Sequence, residues 1–343
     1  MKSKFDFNNT KIDWEKVDRV IDGSNKILLT THENPDGDGL GSQCGIYYHL
    51  IEYGKDVRII NYSKISEEYS FMNHDNIFEQ YDSEKHDEWI KSIDLVIIFD
   101  VGDFNRLGSV GKKIDHNKIN AINIDHHPSL NDHRFDENFI NLNAAATGEM
   151  VYDFFVENNI PLNHETAQGI YTALMTDTGS FRHSNTNEKS HKIAMDCIKN
   201  GVNNSKIYQS IYENKSLAQV SLLAMVIKNL SFDDEGEIAS FIISDEMLKE
   251  AGANSQDIDG FTDFVRTIKG VEIAVMIFEQ SNDKCRLNFR SKGKYVINEV
   301  AKAFGGGGHK FAAGAVADGN PAHVLDQVLR ETKKQILTQN INN

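Results

Sequence analysis

The stretch Thr31-His32-Glu33-Asn34-Pro35-Asp36-Gly37-Asp38-Gly39-Leu40-Gly41-Ser42 follows the apolar run Ile27-Leu28-Leu29 and precedes a helix-like segment, from Gly41, that ends near Gly54. One imidazole and two carboxylates thus fall in a glycine-rich strand-to-helix turn, a place that displays charge rather than hiding it. Asp and Gly together also make ordinary polar turns, so the stretch takes its meaning from what the rest of the chain brings to it. An EF-hand is excluded: counted from Asp36, the loop has Leu40 and Tyr47 where oxygen ligands, the second a bidentate Glu, are required.

Two further strand ends answer the first. Ile93-Asp94-Leu95-Val96-Ile97-Ile98-Phe99 is almost continuously apolar, as a strand covered on both faces should be, and it runs into Asp100. Ala121-Ile122-Asn123-Ile124 runs into Asp125-His126-His127-Pro128. With the strand Lys26–Thr30, three strands deliver Asp and His at their C-terminal ends, where parallel α/β sheets place the ligand crevice. A fourth acidic turn, Thr176-Asp177-Thr178-Gly179-Ser180, follows a helix predicted over Glu165–Met175 after Asn163; another helix is predicted over Gly148–Glu157 with Thr147 as N-cap. Neighbouring side chains diverge, so one of His126 and His127 can bind a metal while the other faces substrate, and Asp125 can orient an imidazole. A donor set of carboxylates and imidazoles without Cys suits Mn²⁺ or Mg²⁺, with Co²⁺ or Fe also accommodated, better than a structural zinc. Two such ions about 3.5–4 Å apart can share a carboxylate, activate water and stabilise both ends of a phosphoryl displacement.

The chain around these motifs alternates strand and helix: a helix near Trp14–Ile21, then the opening strand and helix, then a strand over Asp56–Asn61. The fold class expected is α/β, with a doubly wound, mainly parallel sheet over 1–195. A helix over Asn187–Asn200 leads through Gly201 into Val202-Asn203-Asn204-Ser205, and 196–229 reads as a helical hinge. A smaller α/β domain over 230–343 follows, with strands at Glu237–Ile243, Val271–Phe278, Cys285–Arg290 and Ala312–Ala317. Its helices are expected at Glu246–Glu250, Asp259–Ile268 and Ile297–Phe304, with a terminal helix opening at Asn320-Pro321. The active site is expected in a cleft between the domains. The Asn-rich ends, Asn8-Asn9 and Asn340–Asn343, read as frayed tails.

The second domain has its own glycine run, Gly305-Gly306-Gly307-Gly308, followed by His309-Lys310. It lacks the Gly-Lys-Ser/Thr ending of a phosphate-binding P-loop. A flexible linker is the plain alternative. Free backbone N–H groups flanked by His309 and set opposite Arg290-Ser291 would instead suit a phosphate or ribose. Arg266 is either a solvated helix residue or a second anchor.

Composition bounds the partners. The 343 residues carry a formal charge of −15, which argues against gripping long duplex nucleic acid through a basic surface, so a nucleic-acid substrate should be short or locally held. Cys44, Cys197 and Cys285 form no CxxC and read as buried thiols of a reducing compartment. The start, Met1-Lys2-Ser3-Lys4-Phe5-Asp6, lacks an apolar signal core, and no stretch is long and apolar enough to span a membrane; a cytoplasmic protein, monomeric or homodimeric, is expected.

These motifs carry a family resemblance. His32-x-x-x-Asp36-x-Asp38, Asp100 after its apolar strand, Asp125-His126-His127 and Thr176-Asp177-Thr178-Gly179 resemble, in order and spacing, the four motifs of the DHH phosphoesterases. Gly305-Gly306-Gly307-Gly308-His309 with Ala312-Ala313-Gly314 resembles the signature of the associated DHHA1 domain. The resemblance implies one ion on His32, Asp36 and Asp100 and another on Asp38, Asp100, His126 and Asp177, with Asp100 bridging. It implies that His127 contacts the scissile phosphate, that Asp125 supports the histidines, and that Arg290, Ser291, the glycines and His309 hold the nucleotide away from the cut. His183 departs from the pattern, standing where relatives tend to have an aromatic residue. The activity implied is hydrolysis of very short single-stranded RNA, such as a dinucleotide, to nucleoside 5′-monophosphates, and of pAp to AMP and phosphate. Alternatives are a cyclic-di-AMP or pApA phosphodiesterase, an inorganic pyrophosphatase, or a nucleotide-binding module without turnover.

Overall fold

The computed structural model describes residues 12–117, 119–128, 133–280 and 283–342, with the side chains of residues 309, 341 and 342 left aside. Asn8-Asn9 and Asn343 lie outside the described residues. Two compact units divide between Asn214 and Lys215.

The first unit holds six strands, β1 (Lys26–Thr31), β2 (Asp56–Asn61), β3 (Phe78–Gln80), β4 (Leu95–Phe99), β5 (Ala121–Asp125) and β6 (Glu137–Ile140). They form one sheet in the order β3-β2-β1-β4-β5-β6, and every pairing in it is parallel. Eight helices accompany it among the described residues: α1 (Trp14–Asp22), α2 (Gly37–Glu52), α3 (Ser83–Ile90), α4 (Gly108–Asn117), α5 (Thr147–Glu157), α6 (His164–Asp177), α7 (Glu188–Lys199) and α8 (Asn204–Tyr212). Successive strand residues face opposite sides, so the apolar runs feed two cores. Ile27, Leu29, Ile97 and Ile122 pack with Leu40, Met150 and Ile170 on one face. Leu28, Val96 and Ile98 pack with Ile90, Val110 and Ile114 on the other. The strand order reverses between β1 and β4, the switch point at which a doubly wound sheet opens its crevice.

One boundary differs from the reading of the sequence in a way that matters. Helix α2 begins at Gly37, not Gly41, because the Asp36 carboxylate caps it, accepting from the backbone N–H groups of Asp38 and Gly39. Asp38 therefore sits in a helical first turn rather than a loose loop. The glycines that suggested a turn serve instead to bring α2 against α6: a Cβ on Gly41 would lie 2.3 Å from the Gly169 carbonyl oxygen. Asp177 likewise is the last residue of α6, not part of the turn after it.

The second unit has a six-stranded sheet ordered β11-β12-β10-β9-β8-β7, built from β7 (Ser231–Asp233), β8 (Ile238–Ile243), β9 (Ile273–Gln280), β10 (Lys284–Ser291), β11 (Gly307–His309) and β12 (Ala312–Asp318). All neighbours are antiparallel except β8 with β9. Helices α9 (Leu217–Lys228), α10 (Asp245–Ala251), α11 (Phe261–Arg266), α12 (Asn298–Ala303) and α13 (Pro321–Asn342) complete it. The stretch 196–229 is apportioned between the units, α8 to the first and α9 to the second. Cys44, Cys197 and Cys285 are free and buried. Among the described residues, no helix is long and apolar enough to cross a membrane.

Candidate metal centre

The ends of β1, β4 and β5 and the facing ends of α2, α5 and α6 bring six side chains together. His32, just past β1, donates through Nδ1 to the Glu33 carbonyl at 2.8 Å. The other ring nitrogen, Nε2, points at Asp100 Oδ2 (3.4 Å) and Asp36 Oδ1 (3.8 Å); burial would lower the pKa of the imidazole, but Asp100 and Asp36 outweigh it and raise it to about 9. His126, just past β5, repeats the device: Nδ1 donates to the Ala144 carbonyl at 3.1 Å. Its Nε2 faces Asp38 Oδ2 at 3.5 Å, Asp100 Oδ1 at 3.6 Å and Asp177 Oδ2 at 3.8 Å. Asp38 is fully buried, and both its oxygens are held at the N-terminus of α5, by Thr147 N–H at 2.7 Å and Gly148 N–H at 2.9 Å. Asp100 turns toward the centre because its backbone adopts the left-handed region, φ 60°, immediately after β4.

Ligand atoms of His32, Asp36 and Asp100 lie within 4.8 Å of one another, and so do those of Asp38, His126 and Asp177; Asp100, His126 and His127 form a third such group. The residues fit a cation by an independent sign. His126 Nε2 is buried without a hydrogen-bond partner, in the middle of three carboxylates, where an imidazole lone pair is costly unless something electrophilic meets it. The electrostatics agree. Burial, and then the charges of Asp100, Asp177 and Asp36, push the Asp38 carboxyl well up. Burial, the largest cause, opposed by His126 and His127 and joined by the charges of Asp100 and Asp36, pushes Asp177 up to about 6. A cation among them would remove that penalty.

His127 has a different environment. Its Nδ1 sits 2.9 Å from Asp125 Oδ1 and 3.2 Å from Asp100 Oδ1, and its backbone N–H also donates to Asp125. Burial alone would lower its pKa, but the bonds to Asp100 and Asp125 outweigh burial and raise it to about 11. The reciprocal effect appears at Asp100: burial opposes ionisation, yet hydrogen bonds from His127 and His32 hold the carboxyl well below the usual carboxylate range. Beside Asp36, Asp38 and Asp177 opens a cleft of about 210 Å³ whose other walls are Tyr69, Thr176, Ile211 and Tyr212.

The matches with known proteins follow the same division. The model of the DHH family, N-terminal domain, matches residues 26–174, and that of the DHHA1 domain matches residues 237–338. The bifunctional oligoribonuclease and PAP phosphatase NrnA of Bacillus subtilis (strain 168) is 30% identical over 304 residues, covering 87% of this chain and 91% of that protein. The chain belongs to the DHH–DHHA1 phosphoesterase family. The Thermus thermophilus enzyme of the same name is 26% identical over 94% of this chain and 95% of its own length. Among solved structures, an exopolyphosphatase-related protein from Bacteroides fragilis superposes with a TM-score of 0.88 at 24% identity, covering 94% of this chain and 96% of that one, a likeness of fold.

In the DHHA1 unit the expected substrate residues occupy two places. Arg290 on β10 and Arg266 at the end of α11 both contact Asp263, at 3.2 Å each. Arg266 also donates to the Ser291 carbonyl at 3.1 Å, while the Ser291 hydroxyl accepts from Gly293 N–H. Arg266 is thus half-buried and held by Asp263 and the Ser291 carbonyl. The tetraglycine is not a linker, and its second half opens β11, an edge strand paired on one side only. Gly305 and Gly306 N–H are spent on the Lys302 and Ala301 carbonyls, and Gly307–His309 pairs as β11 with β12. Glycine is required by close approach: a Cβ on Gly306 would lie 2.1 Å from the Gly314 carbonyl oxygen. The His309 side chain is outside the described residues.

Three contributors to the DHH centre left no isolated signal in the sequence. Thr147 is the first residue of α5 rather than its N-cap, which is Ala146, and it serves Asp38 through its N–H and Asp100 through its hydroxyl (3.4 Å). Asn185 reaches Asp177 from the loop after α6. Tyr212 comes from α8, distant in sequence from every metal motif.

Proposed function

We propose that the protein is a two-ion phosphoesterase that hydrolyses very short oligoribonucleotides, dinucleotides foremost, to nucleoside 5′-monophosphates, and pAp to AMP and phosphate, acting in the cytoplasm as a monomer or homodimer. The observation that carries the reading is the pair of donor groups, His32–Asp36–Asp100 and Asp38–His126–Asp177, meeting at the switch point of the sheet. The naming of the Bacillus and Thermus relatives as bifunctional oligoribonuclease and PAP phosphatase supports the substrate class.

His32, Asp36 and Asp100 would hold one ion, Asp38, Asp100, His126 and Asp177 the other, with Mn²⁺ preferred and Mg²⁺ or Co²⁺ tolerated. Divalent ions there supply Lewis acidity toward phosphoryl oxygens and lower the pKa of water. The chain does the rest. Asp100 joins the two groups. His127, oriented through Nδ1 by Asp125, would stabilise negative charge developing on the phosphate and its leaving oxygen. The apolar wall of Tyr69, Ile211 and Tyr212 beside the carboxylates suits a nucleoside attached to the reacting phosphate, and would be superfluous for inorganic pyrophosphate. Arg290, Arg266, Ser291, Gly305, Gly306, Gly307, Gly308 and His309 of the DHHA1 unit would hold the distal nucleotide, thereby limiting substrate length.

A product time-course with Mn²⁺ on 5′-phosphorylated two- to ten-mers, pAp, cyclic di-AMP, pApA and pyrophosphate tests this reading. Dinucleotides and pAp should be consumed fastest, with monophosphates as products. Inertness toward both, or indifference of turnover to His127→Ala, would sink the proposal.

A further inference from the structure

We infer that Asn185 is the positioning residue of one half of the centre, the Asp38–His126–Asp177 group, an inference that rests on the two-ion reading. Asn185 lies in Ser184-Asn185-Thr186, eight residues beyond Asp177, yet its side chain returns to it. The return is built by the backbone: Gly179, Ser180 and Phe181 are consecutively left-handed, with φ 56°, 59° and 64°, which reverses the chain over the end of α6. The reversal is pinned. Phe181 stacks on His191 at 5.4 Å, and Arg182 Nε–H donates to the Gly179 carbonyl at 2.8 Å.

From there the Asn185 amide nitrogen donates toward three oxygens, the Ala145 carbonyl at 2.9 Å, the Asp177 carbonyl at 3.2 Å and Asp177 Oδ2 at 3.3 Å. All three partners accept only, so the amide orientation is dictated by them. Ala145 belongs to the short segment 144–148 that also fixes the other two members of the group. Its Ala144 carbonyl orients His126, and its Thr147 and Gly148 N–H groups hold Asp38. One amide thus ties Asp177 to the segment that orients Asp38 and His126. The orienting bonds of His32 and Asp36 run elsewhere, to the Glu33 carbonyl and to the N–H groups of α2. Asn185 Oδ1 is buried and makes no hydrogen bond, so the polar role of the side chain is donation.

Asn185→Asp keeps the shape and removes the donor; Asn185→Leu keeps the volume without charge. Mn²⁺ titrations of the full chain, by calorimetry and by electron paramagnetic resonance, should show one of two equivalents weakened about 10- to 100-fold in both variants, with the other unchanged, as expected of outer-shell partners of metal ligands. Asn187→Ala, which removes the cap of α7, should lower thermal stability and leave both ion constants alone. Unchanged constants in the Asn185 variants, or an equal loss of both, would overturn the assignment. A wild-type count of one ion would refute the two-ion reading instead, and Asn185 would then be judged by that ion's constant: weakened supports it, unchanged overturns it.

Discussion

Asp36 and Asp38 stand two residues apart and do different work. Asp36 is the exposed N-cap of α2 and offers an oxygen toward the His32 group, whereas Asp38 is buried beneath the N-terminus of α5 and faces His126. Asn also caps helices well, so Asp36→Asn removes charge while leaving α2 capped. Both Asp36→Asn and Asp38→Asn should lower turnover by at least about 100-fold, the upper end of what outer-shell partners alone cost. Anomalous-scattering maps of Mn²⁺-soaked crystals should show occupancy falling at different ions in the two variants. A fall at the same ion in both would refute the division of labour. The division is legible from the motif only through family resemblance. What separates the carboxylates physically is the helix that begins between them, and that start depends on the Asp36 side chain finding the α2 N–H groups.

At the scale of elements, the centre depends on how closely α2 and α6 approach. Gly41 and Gly169 face each other across the contact, with no room for a Cβ on either. Gly41→Ala forces backbone apart at a fully packed antiparallel interface whose one end carries both Asp38 and Asp177, so it should destabilise the fold by about 1–3 kcal/mol. Gly307→Ala, where a Cβ would meet open space, should cost far less. Urea denaturation of the two variants makes the comparison, and equal midpoints would contradict the packing argument. Strands with continuous apolar runs, β1, β4 and β5, were readable from composition because both faces are covered. The short edge strand β6, Glu137–Ile140, was not, because only Phe139 of its four residues is buried. The tetraglycine is ambiguous for a related reason: glycine marks both a free loop and a close approach, and at Gly306 only the neighbour, Gly314 in β12, tells them apart.

At the scale of the whole molecule, the net charge of −15 includes buried carboxylates gathered at one point. Divalent ions that bind the folded chain and not the unfolded one stabilise by mass action, about 2.7 kcal/mol at a free concentration 100 times the dissociation constant. Treatment with EDTA should therefore lower the melting temperature, and saturating Mn²⁺ should raise it by roughly 5–10 °C in scanning calorimetry. No shift, or a fall, would argue against ion occupancy of the centre.

Periodicity and strand-end chemistry by themselves determined that the chain is α/β and that the Asp and His residues at several element ends make one set rich in carboxylate and imidazole; the choice of His126 over His127 as a ligand, and phosphoester cleavage, came from the resemblance of the motifs to the DHH family. The first two conclusions depend on local rules, apolar alternation and residue type at an element's end, which act over a few residues. Tertiary structure alone decided which nitrogen of His126 faces the carboxylates, that Thr147 and Asn185 join the centre, and that the second half of the glycine run is an edge strand. Each of these turns on a partner far away in the chain, and a hydrogen bond or a contact between such partners is set by the fold rather than by the sequence around either one.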